Sequence, residues 1–212
     1  MKKLVIIAIL GNFGSIWSKI IEIKDLNQVG QFIDSENPLI IFDMDKTLIQ
    51  DDIVRFDEAA PLLEELSGLD IHRLKGLFYK KETQRNIKNI INNLQNQHKV
   101  IILTRSRRLD PFYKLSQAKQ IGLDFNQAFP NLPLIKLEGS NGKAIFNNGI
   151  ICCGENDKGE TLTQFMEKID YIPSEIIFVD DKLHNLVNVE SYMKRLQIPV
   201  TGLWYTRIHR SN

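Results

Sequence analysis

The sequence predicts an α/β protein in which an open parallel sheet carries helices on both faces. Three observations support this class. Four apolar runs have the length and composition of buried strands, other stretches show the helical spacing of apolar residues, and the two kinds of segment alternate along the chain. The 212 residues, 43% of them hydrophobic and 25% charged, suit one domain with a substantial core.

The four predicted strands are rich in Ile, Leu, Val and Phe, as is typical of strands buried on both faces. They are PLIIFD (38–43), KVIILT (99–104), EIIFVD (175–180) and IPVTGLWY (198–205). The first three runs end in a polar residue, namely Asp43, Thr104 and Asp180. Because ligand sites of open parallel sheets lie at the carboxyl ends of the strands, we expect these three side chains to converge on one edge.

Three predicted helices lie between or after these strands. They are TQRNIKNIINNLQNQ (83–97), KGETLTQFMEKI (158–169) and KLHNLVNVESYMKRL (182–196). In the first two, apolar residues recur three or four positions apart, which is the spacing of one buried helix face. The third follows the strand at 175–180 directly, as the alternation requires.

Two segments do not follow the simple alternation. Residues 50–86 contain a predicted pair of short helices with a break near Ser67-Gly68. Residues 110–157 contain several Pro, Gly and Asn residues, and the sequence AIFNNGIICC within them predicts a hairpin. We interpret both segments as insertions beside the site, where they would act as lids or walls for a substrate.

The N-terminal stretch MKKLVIIAILGNFGSIWSK has two lysines, an apolar run and then small and polar residues. This layout is typical of a secretory signal peptide, which we place at residues 1–18, leaving 19–212 as a single exported domain. The alternative is a first strand of the fold in a cytoplasmic protein. The apolar run is too short to span a bilayer, so we expect no stable membrane anchoring.

Composition restricts the classes of partner and the redox chemistry. A formal net charge of +1 provides no reason to expect nucleic acid as a partner. The two cysteines, Cys152 and Cys153, are neighbours and cannot close a stabilising disulfide loop. We expect both to be small buried side chains of a strand.

The aspartates after the first strand predict a magnesium site. Two carboxylates one residue apart, Asp43 and Asp45, would repel each other without a compensating charge, and Mg²⁺ prefers such oxygen ligands. Asp43 is placed to be both a metal ligand and a nucleophile, and Asp45 to transfer protons. Thr47 would either hydrogen-bond the transferring group or hold the loop. Asp180 and Asp181, at the end of another strand, would complete the acidic surroundings of the metal.

Phosphoryl transfer also needs cations or hydrogen-bond donors around the phosphate oxygens. Thr104 supplies a hydroxyl group at a strand end, and Lys158 supplies a cation that also reduces repulsion among the aspartates. Arg105, Arg107 and Arg108 crowd the same strand end. They would either bind an anionic group of the substrate or form a solvated basic surface.

Four stretches, in this order along the chain, resemble the motifs of the haloacid dehalogenase (HAD) superfamily. They are DMDKT (43–47), ILTRS (102–106), DKGET (157–161) and FVDDK (178–182). The resemblance covers about residues 38 to 205 and implies a HAD-like Rossmannoid core with small cap insertions at 50–86 and 110–157. The last two motifs also resemble those of an often exported, uncharacterised bacterial branch of HAD-like proteins.

The resemblance implies a role for each matching residue. Asp43 corresponds to the nucleophile and Asp45 to the general acid and base, with the main-chain carbonyl of Asp45 as a further metal ligand. Thr104 and Lys158 correspond to the phosphate-binding pair. Asp180 and Asp181 correspond to the metal-binding acids, although Val179 stands where the family often has Ser or Gly.

We therefore expect a Mg²⁺-dependent phosphohydrolase that cleaves a phosphate monoester through an aspartyl-phosphate intermediate. Its partner would be a phosphorylated small molecule or a phosphorylated macromolecule. Two alternatives stay open, a catalytically weak binding or effector protein on a HAD scaffold and a phosphotransferase or mutase of the same family. Asp45 argues against dehalogenation, because that chemistry has no leaving oxygen to protonate.

Overall fold

The fold is described from a computed structural model, which covers residues 6–7, 18–67, 79–106 and 111–208. Nearly all of the predicted signal peptide (1–18) and the second helix predicted within 50–86 lie outside these residues. The strands are β1 Ile6–Ile7, β2 Lys19–Ile23, β3 Pro38–Phe42, β4 Ile49–Asp51, β5 Lys80–Glu82, β6 Lys99–Thr104, β7 Ile135–Gly139, β8 Gly142–Asn147, β9 Ile150–Cys152, β10 Glu175–Asp180 and β11 Val200–Tyr205.

A large sheet with the order β1-β2-β11-β10-β3-β6-β9-β8-β7 forms the centre of the molecule. The six strands from β2 to β9 in this order run parallel, while β1 at one edge and β8 and β7 at the other are antiparallel to their neighbours. The four predicted strands correspond to β3, β6, β10 and β11. The predicted α/β class is therefore confirmed.

Helices cover both faces of this sheet. The α-helices are α1 Ile53–Ser67, α2 Ile87–Gln95, α3 Pro111–Gln120, α4 Lys158–Lys168 and α5 Leu183–Arg195. Alternate residues of β3 point to opposite faces, because side chains alternate along a strand. Ile40 and Phe42 pack in one core with α2 and α3, and Leu39 and Ile41 pack in the other with α4 and α5. The three helices predicted from the sequence correspond to α2, α4 and α5.

The segment 110–157 continues the central sheet at one edge. It contains α3 and the strands β7, β8 and β9, and β9 pairs in parallel with β6. The predicted hairpin is confirmed, since β8 and β9 are antiparallel and joined by Asn148 and Gly149, both with positive φ. Cys152 and Cys153 are buried at the end of β9, as expected.

The segment 50–86 contains a structure that the sequence patterns did not predict. Strands β4 and β5 form a separate two-stranded antiparallel sheet, with Ile49 opposite Glu82 and Asp51 opposite Lys80. The helix α1 follows β4 directly and represents the first of the two predicted helices. This small sheet begins only a few residues after Asp43, so it stands beside the carboxyl end of β3.

Candidate active site

Two neighbouring strands of the central sheet bring Asp43 and Asp180 together. Phe42 at the end of β3 pairs in register with Val179 of β10, and the N–H of Asp43 donates to the carbonyl oxygen of Val179 at 2.8 Å. Asp43 directly follows Phe42 and Asp180 directly follows Val179. Parallel strands in this register place both carboxylates at the same edge of the sheet.

A tight loop after Asp43 sets the position of Asp45 and Thr47. Lys46 adopts a positive φ of 66°, and the N–H groups of Leu48 and Ile49 both donate to the carbonyl oxygen of Met44 at 3.0 Å. The chain turns back at once, so the buried Thr47 lies beneath Asp43, with its hydroxyl group 3.5 Å from Oδ2 of that carboxylate. The phosphate-binding role and the loop-holding role expected for Thr47 both stay predictions.

Three buried aspartates form a cluster suited to a divalent cation. Asp43, Asp180 and Asp181 each offer a carboxylate oxygen, and these oxygens lie within 4.8 Å of one another. With Lys158 beside them, three carboxylates and one ammonium group carry a formal charge of −2, which a divalent ion would neutralise. Buried carboxylates this close together are costly without such a charge. The residues present therefore fit a divalent cation.

Lys158 is the cation of this cluster. Its side chain is only 1% exposed, and its Nζ donates to Oδ1 of Asp43 and, at 2.6 Å, to Oδ2 of Asp180. Burial by itself would lower the pKa of Lys158, but the negative charges of Asp180 and Asp43 outweigh it and raise the pKa. The lysine is therefore a permanent cation of the site.

The surroundings of Asp43 raise the pKa of its carboxyl group. Burial, together with the nearby charge of Asp180, raises the pKa of Asp43 to about 7, although Lys158 acts in the opposite direction. Without a metal ion, this carboxylate changes its charge near neutral pH. A carboxylate must be ionised to bind a metal ion, so a bound divalent ion would favour the ionised form of Asp43.

Asp180 is held rigidly by groups of its own loop and helix. Its Oδ1 accepts from the N–H of Lys182 at 2.8 Å, and Nδ2 of Asn185 lies 3.0 Å from both carboxylate oxygens. Asn185 is buried in the first turn of α5 and was not predicted as a site residue. The short spacing from Asp180 to Asn185 is the one signal that the sequence contains for this contact.

Two lysines that the sequence analysis did not identify lie against Asp45. Lys114 of α3 donates to Oδ2 of Asp45 at 2.7 Å, and Nζ of Lys80 in β5 lies 4.0 Å from Oδ1. The lysine side chains are 6% and 7% exposed, whereas the side chain of Asp45 is 44% exposed. They come from the segments 50–86 and 110–157, far from Asp45 along the chain, and no local motif marks them.

The remaining predicted residues lie at the end of β6. Thr104 is buried next to the ends of β3 and β9, on the same edge as Asp43 and Asp180. Arg105 is exposed and donates to the carbonyl oxygen of Glu155 at 3.2 Å. Arg107 and Arg108 lie outside the described residues. The phosphate-binding roles of Thr104 and Arg105 stay predictions, as does the metal contact of the Asp45 carbonyl.

Two proteins of chlamydiae are similar to this chain over 127 residues, and both are described as "Putative outer membrane protein". The one from Chlamydia trachomatis is 28% identical and the one from Chlamydia muridarum 29%. The aligned region covers 59% of this chain and 47% of each relative, so the match spans about half the length of these relatives. Among the described residues, none of the helices has the length and apolar character needed to cross a membrane.

A solved structure similar to this fold is described as a putative haloacid dehalogenase-like hydrolase from Burkholderia xenovorans. The match has a TM-score of 0.40 and 14% sequence identity, and covers 80% of this chain and 82% of the other.

A family model described as "Protein of unknown function (DUF2608)" matches residues 70–212. This region contains Lys80, Thr104, Lys114, Lys158 and the aspartates at the end of β10, whereas Asp43 and Asp45 precede it. The match spans 143 of the 212 residues, from 70 to 212 inclusive, which is well over half of the chain. The chain therefore belongs to the DUF2608 family.

Proposed function

We propose that this protein is a Mg²⁺-dependent phosphohydrolase that cleaves a phosphate monoester through an aspartyl-phosphate intermediate. The observation that supports this most directly is the buried cluster of Asp43, Asp180 and Asp181 around the ammonium group of Lys158. Three neighbouring buried carboxylates would only destabilise a purely structural core, because burying charges that repel each other costs stability. The motif order along the chain agrees with this proposal.

Asp43, Asp180 and Asp181 would hold the Mg²⁺ ion, which would neutralise charge on the phosphate oxygens when bound. In the first step, a carboxylate oxygen of Asp43 attacks phosphorus and the ester P–O bond breaks. Lys158 and Thr47 orient the Asp43 carboxylate through their contacts with its two oxygens. Asp45 donates a proton to the leaving oxygen, so that the alcohol departs in neutral form.

In the second step, water replaces Asp43 on phosphorus. Asp45 accepts a proton from the water, the oxygen of which attacks phosphorus, and the bond between phosphorus and Asp43 breaks. Lys114 positions Asp45 for both steps by donating to its Oδ2 at 2.7 Å.

The direct test compares Asp43→Asn with the wild-type protein in the hydrolysis of p-nitrophenyl phosphate with and without Mg²⁺. We expect the variant to lose about a thousandfold or more in kcat, since it removes the nucleophile. Asp34→Asn is a matched control, because Asp34 is an exposed carboxylate near Glu175, at the opposite end of β10. Normal turnover by Asp43→Asn in Mg²⁺ would contradict the assignment.

We also propose that the protein is exported and that residues 1–18 are its signal peptide. The lysines and apolar run of the N-terminal stretch support this, and so does the description of the chlamydial relatives as outer membrane proteins. N-terminal sequencing of the protein from its native host tests the proposal. We expect a first residue near Lys19, and retention of Met1 would contradict it.

A further inference from the structure

A shallow, largely open cavity of about 580 Å³ lies against β5 and the beginning of α1. Its charged lining is predominantly basic. The cations are Arg55, Lys80, Lys81, Arg85 and Arg207, and the acids are Asp52 and Glu82. Lys80 also pairs with Asp51 at 2.5 Å, so five positive and three negative side chains leave a formal charge of +2 here. The protein as a whole carries a formal charge of only +1, so this is a local concentration of positive charge.

The two acids of the lining do not compensate the arginines. Asp52 pairs with Lys81 at 3.4 Å, and Glu82 accepts from the N–H of Lys88 at 3.4 Å. The arginines have other contacts. The guanidinium group of Arg55 lies 4.9 Å from the ring centre of Tyr79, and that of Arg207 donates to the carbonyl oxygen of Lys24 at 3.5 Å.

The guanidinium groups of Arg55 and Arg85 are therefore available to an anion, whereas that of Arg207 also interacts with the charge of the nearby Asp25 carboxylate. Within the part of the chain that the structure describes, neither Arg55, Arg85 nor Arg207 forms an ion pair with a carboxylate. A guanidinium group binds a phosphate or carboxylate group through two parallel hydrogen bonds, which makes arginine well suited to such ligands. The lining thus has the chemistry of an anion site.

This cavity shares a wall with the proposed catalytic site. Lys80 belongs to its lining, and its Nζ lies 4.0 Å from Oδ1 of Asp45. Thr83 also belongs to the lining, and its hydroxyl group donates to the carbonyl oxygen of Thr47 at 2.6 Å. Asp45 is the residue proposed to protonate the leaving oxygen. The part of a substrate attached to that oxygen therefore extends on the side of Asp45, where the basic cavity lies.

We propose that this cavity binds a second anionic group of the substrate, a phosphate or a carboxylate on its leaving-group side. The inference rests on the proposed phosphohydrolase function and specifies the substrate class as phosphate monoesters with two anionic groups. Arg85 and Arg207 contact the second group, and Lys80 spans the boundary between the cavity and Asp45. Long-range attraction by this basic lining also increases the association rate of such substrates.

The kinetic test uses the double variant Arg85→Ala/Arg207→Ala. The measured quantity is kcat/KM for fructose 1,6-bisphosphate divided by kcat/KM for p-nitrophenyl phosphate. We expect this ratio to fall by about tenfold or more, since hydrogen bonds between charged groups are lost for the bisphosphate only. Phosphoglycerate as a third substrate distinguishes a carboxylate from a phosphate as the second group. An unchanged ratio for both doubly anionic substrates would overturn the proposal.

Lys136→Ala/Lys143→Ala is the matched control, because it removes the same charge from exposed positions on the strands β7 and β8, outside the cavity lining. We expect the control to leave the ratio unchanged. An equal fall in the control would mean that net charge, and not the cavity, favours the bisphosphate. That result would overturn the proposal as well.

A binding experiment separates this inference from the proposed function. Pyrophosphate binding to Asp43→Asn is measured by calorimetry in EDTA, where neither Mg²⁺ nor turnover contributes. We expect the added Arg85→Ala/Arg207→Ala changes to weaken binding by about tenfold or more. Absence of hydrolysis of any ester by the wild-type protein would contradict the phosphohydrolase function only. Pyrophosphate affinity that is insensitive to the two arginines would contradict the cavity assignment only.

Discussion

Charge compensation at single residues controls the chemistry of this site. Lys158 donates to two of the three clustered aspartates, and Lys114 donates to the fourth acidic residue, Asp45. A buried charged group, such as Asp43, Asp180 or the ammonium group of Lys114, is tolerated only with an opposite charge or several hydrogen bonds close to it. Each of these lysines is therefore expected to influence both stability and activity, and two substitutions test this.

Replacing Lys158 by Gln should destabilise the metal-free protein strongly. The change leaves Asp43 and Asp180 buried without their cation, and breaking a buried ion pair in this way costs about 3–5 kcal/mol. Because Mg²⁺ returns positive charge to the cluster, it should restore part of the lost stability. Urea denaturation with and without Mg²⁺ measures both effects. Lys136→Gln, an exposed position on β7, should change the free energy of unfolding by less than about 0.5 kcal/mol.

Replacing Lys114 by Met should slow phosphate ester hydrolysis. Lys114 donates to Oδ2 of Asp45 at 2.7 Å, so its removal should leave the proposed proton donor and acceptor poorly positioned. We expect kcat for p-nitrophenyl phosphate to fall by about tenfold. Lys119→Met, an exposed change on the same helix, should leave kcat unchanged. Wild-type turnover by Lys114→Met would contradict this role.

At the level of elements, the β8–β9 hairpin joins the site to the edge of the sheet. Strand β9 pairs with β6, the strand that ends in Thr104, and the turn of the hairpin packs closely against another part of the chain. A methyl group at Gly149 would lie 2.0 Å from the carbonyl oxygen of Phe125, and φ at this position is 78°. Glycine is therefore required here both for conformation and for space.

Gly149→Ala should destabilise the protein by more than about 2 kcal/mol, because both backbone strain and a backbone collision oppose it. Gly142→Ala is the matched control. Gly142 also has a positive φ, of 114°, but an added methyl group there meets nothing within 4 Å. Thermal unfolding of both variants measures the difference. Equal melting temperatures of the two variants would show that the predicted collision with Phe125 does not destabilise the protein.

At the level of the whole molecule, the site joins two separate parts of the chain. Asp43 and Asp45 lie at the end of β3, before the region matched by the DUF2608 model, while Lys158, Asp180 and Asp181 lie within that region. The central sheet holds the two parts together, since β3 lies between β10 and β6. The ion-binding cluster therefore exists only in the folded state, which means that Mg²⁺ binding should stabilise the whole fold.

This stabilisation by Mg²⁺ should depend on pH. The pKa of Asp43 is raised from its ordinary value of 3.8 to about 7, mainly by burial, so ionisation of Asp43 opposes folding of the metal-free protein between these values. The free energy of unfolding of the metal-free protein therefore decreases as pH rises from about 4 to 7. Mg²⁺ needs the ionised form, and the increase in melting temperature on adding Mg²⁺ should be larger at pH 8 than at pH 5.

Asp43→Asn provides the control for this pH effect, because asparagine does not titrate. In that variant, the increase in melting temperature on adding Mg²⁺ should be nearly the same at pH 5 and pH 8. A larger Mg²⁺ effect at pH 5 than at pH 8 in the wild-type protein would contradict the raised pKa of Asp43 as its cause.

The main elements of the fold could be predicted because their information is local. The runs ending at Thr104 and Asp180 match β6 and β10 residue for residue, and the helix at 158–168 differs from its prediction by one position. Continuous apolar runs and helical spacing report burial directly. The small sheet of β4 and β5 was missed because its strands are three residues each and largely polar.

The sequence by itself determined the α/β class, the parallel strands and the expectation that Asp43, Thr104 and Asp180 share one edge. Local patterns suffice for these features. The alternation of strands and helices along the chain, and the polar residues that end the strands, can be read without knowing any distant contact. Only the tertiary structure decided that Lys80 and Lys114 contact Asp45, that Asn185 holds Asp180, and that a basic cavity adjoins the site. Most of these contacts join residues far apart in the chain. A lysine or arginine also looks the same in the sequence whether its side chain is solvated or contacts a carboxylate.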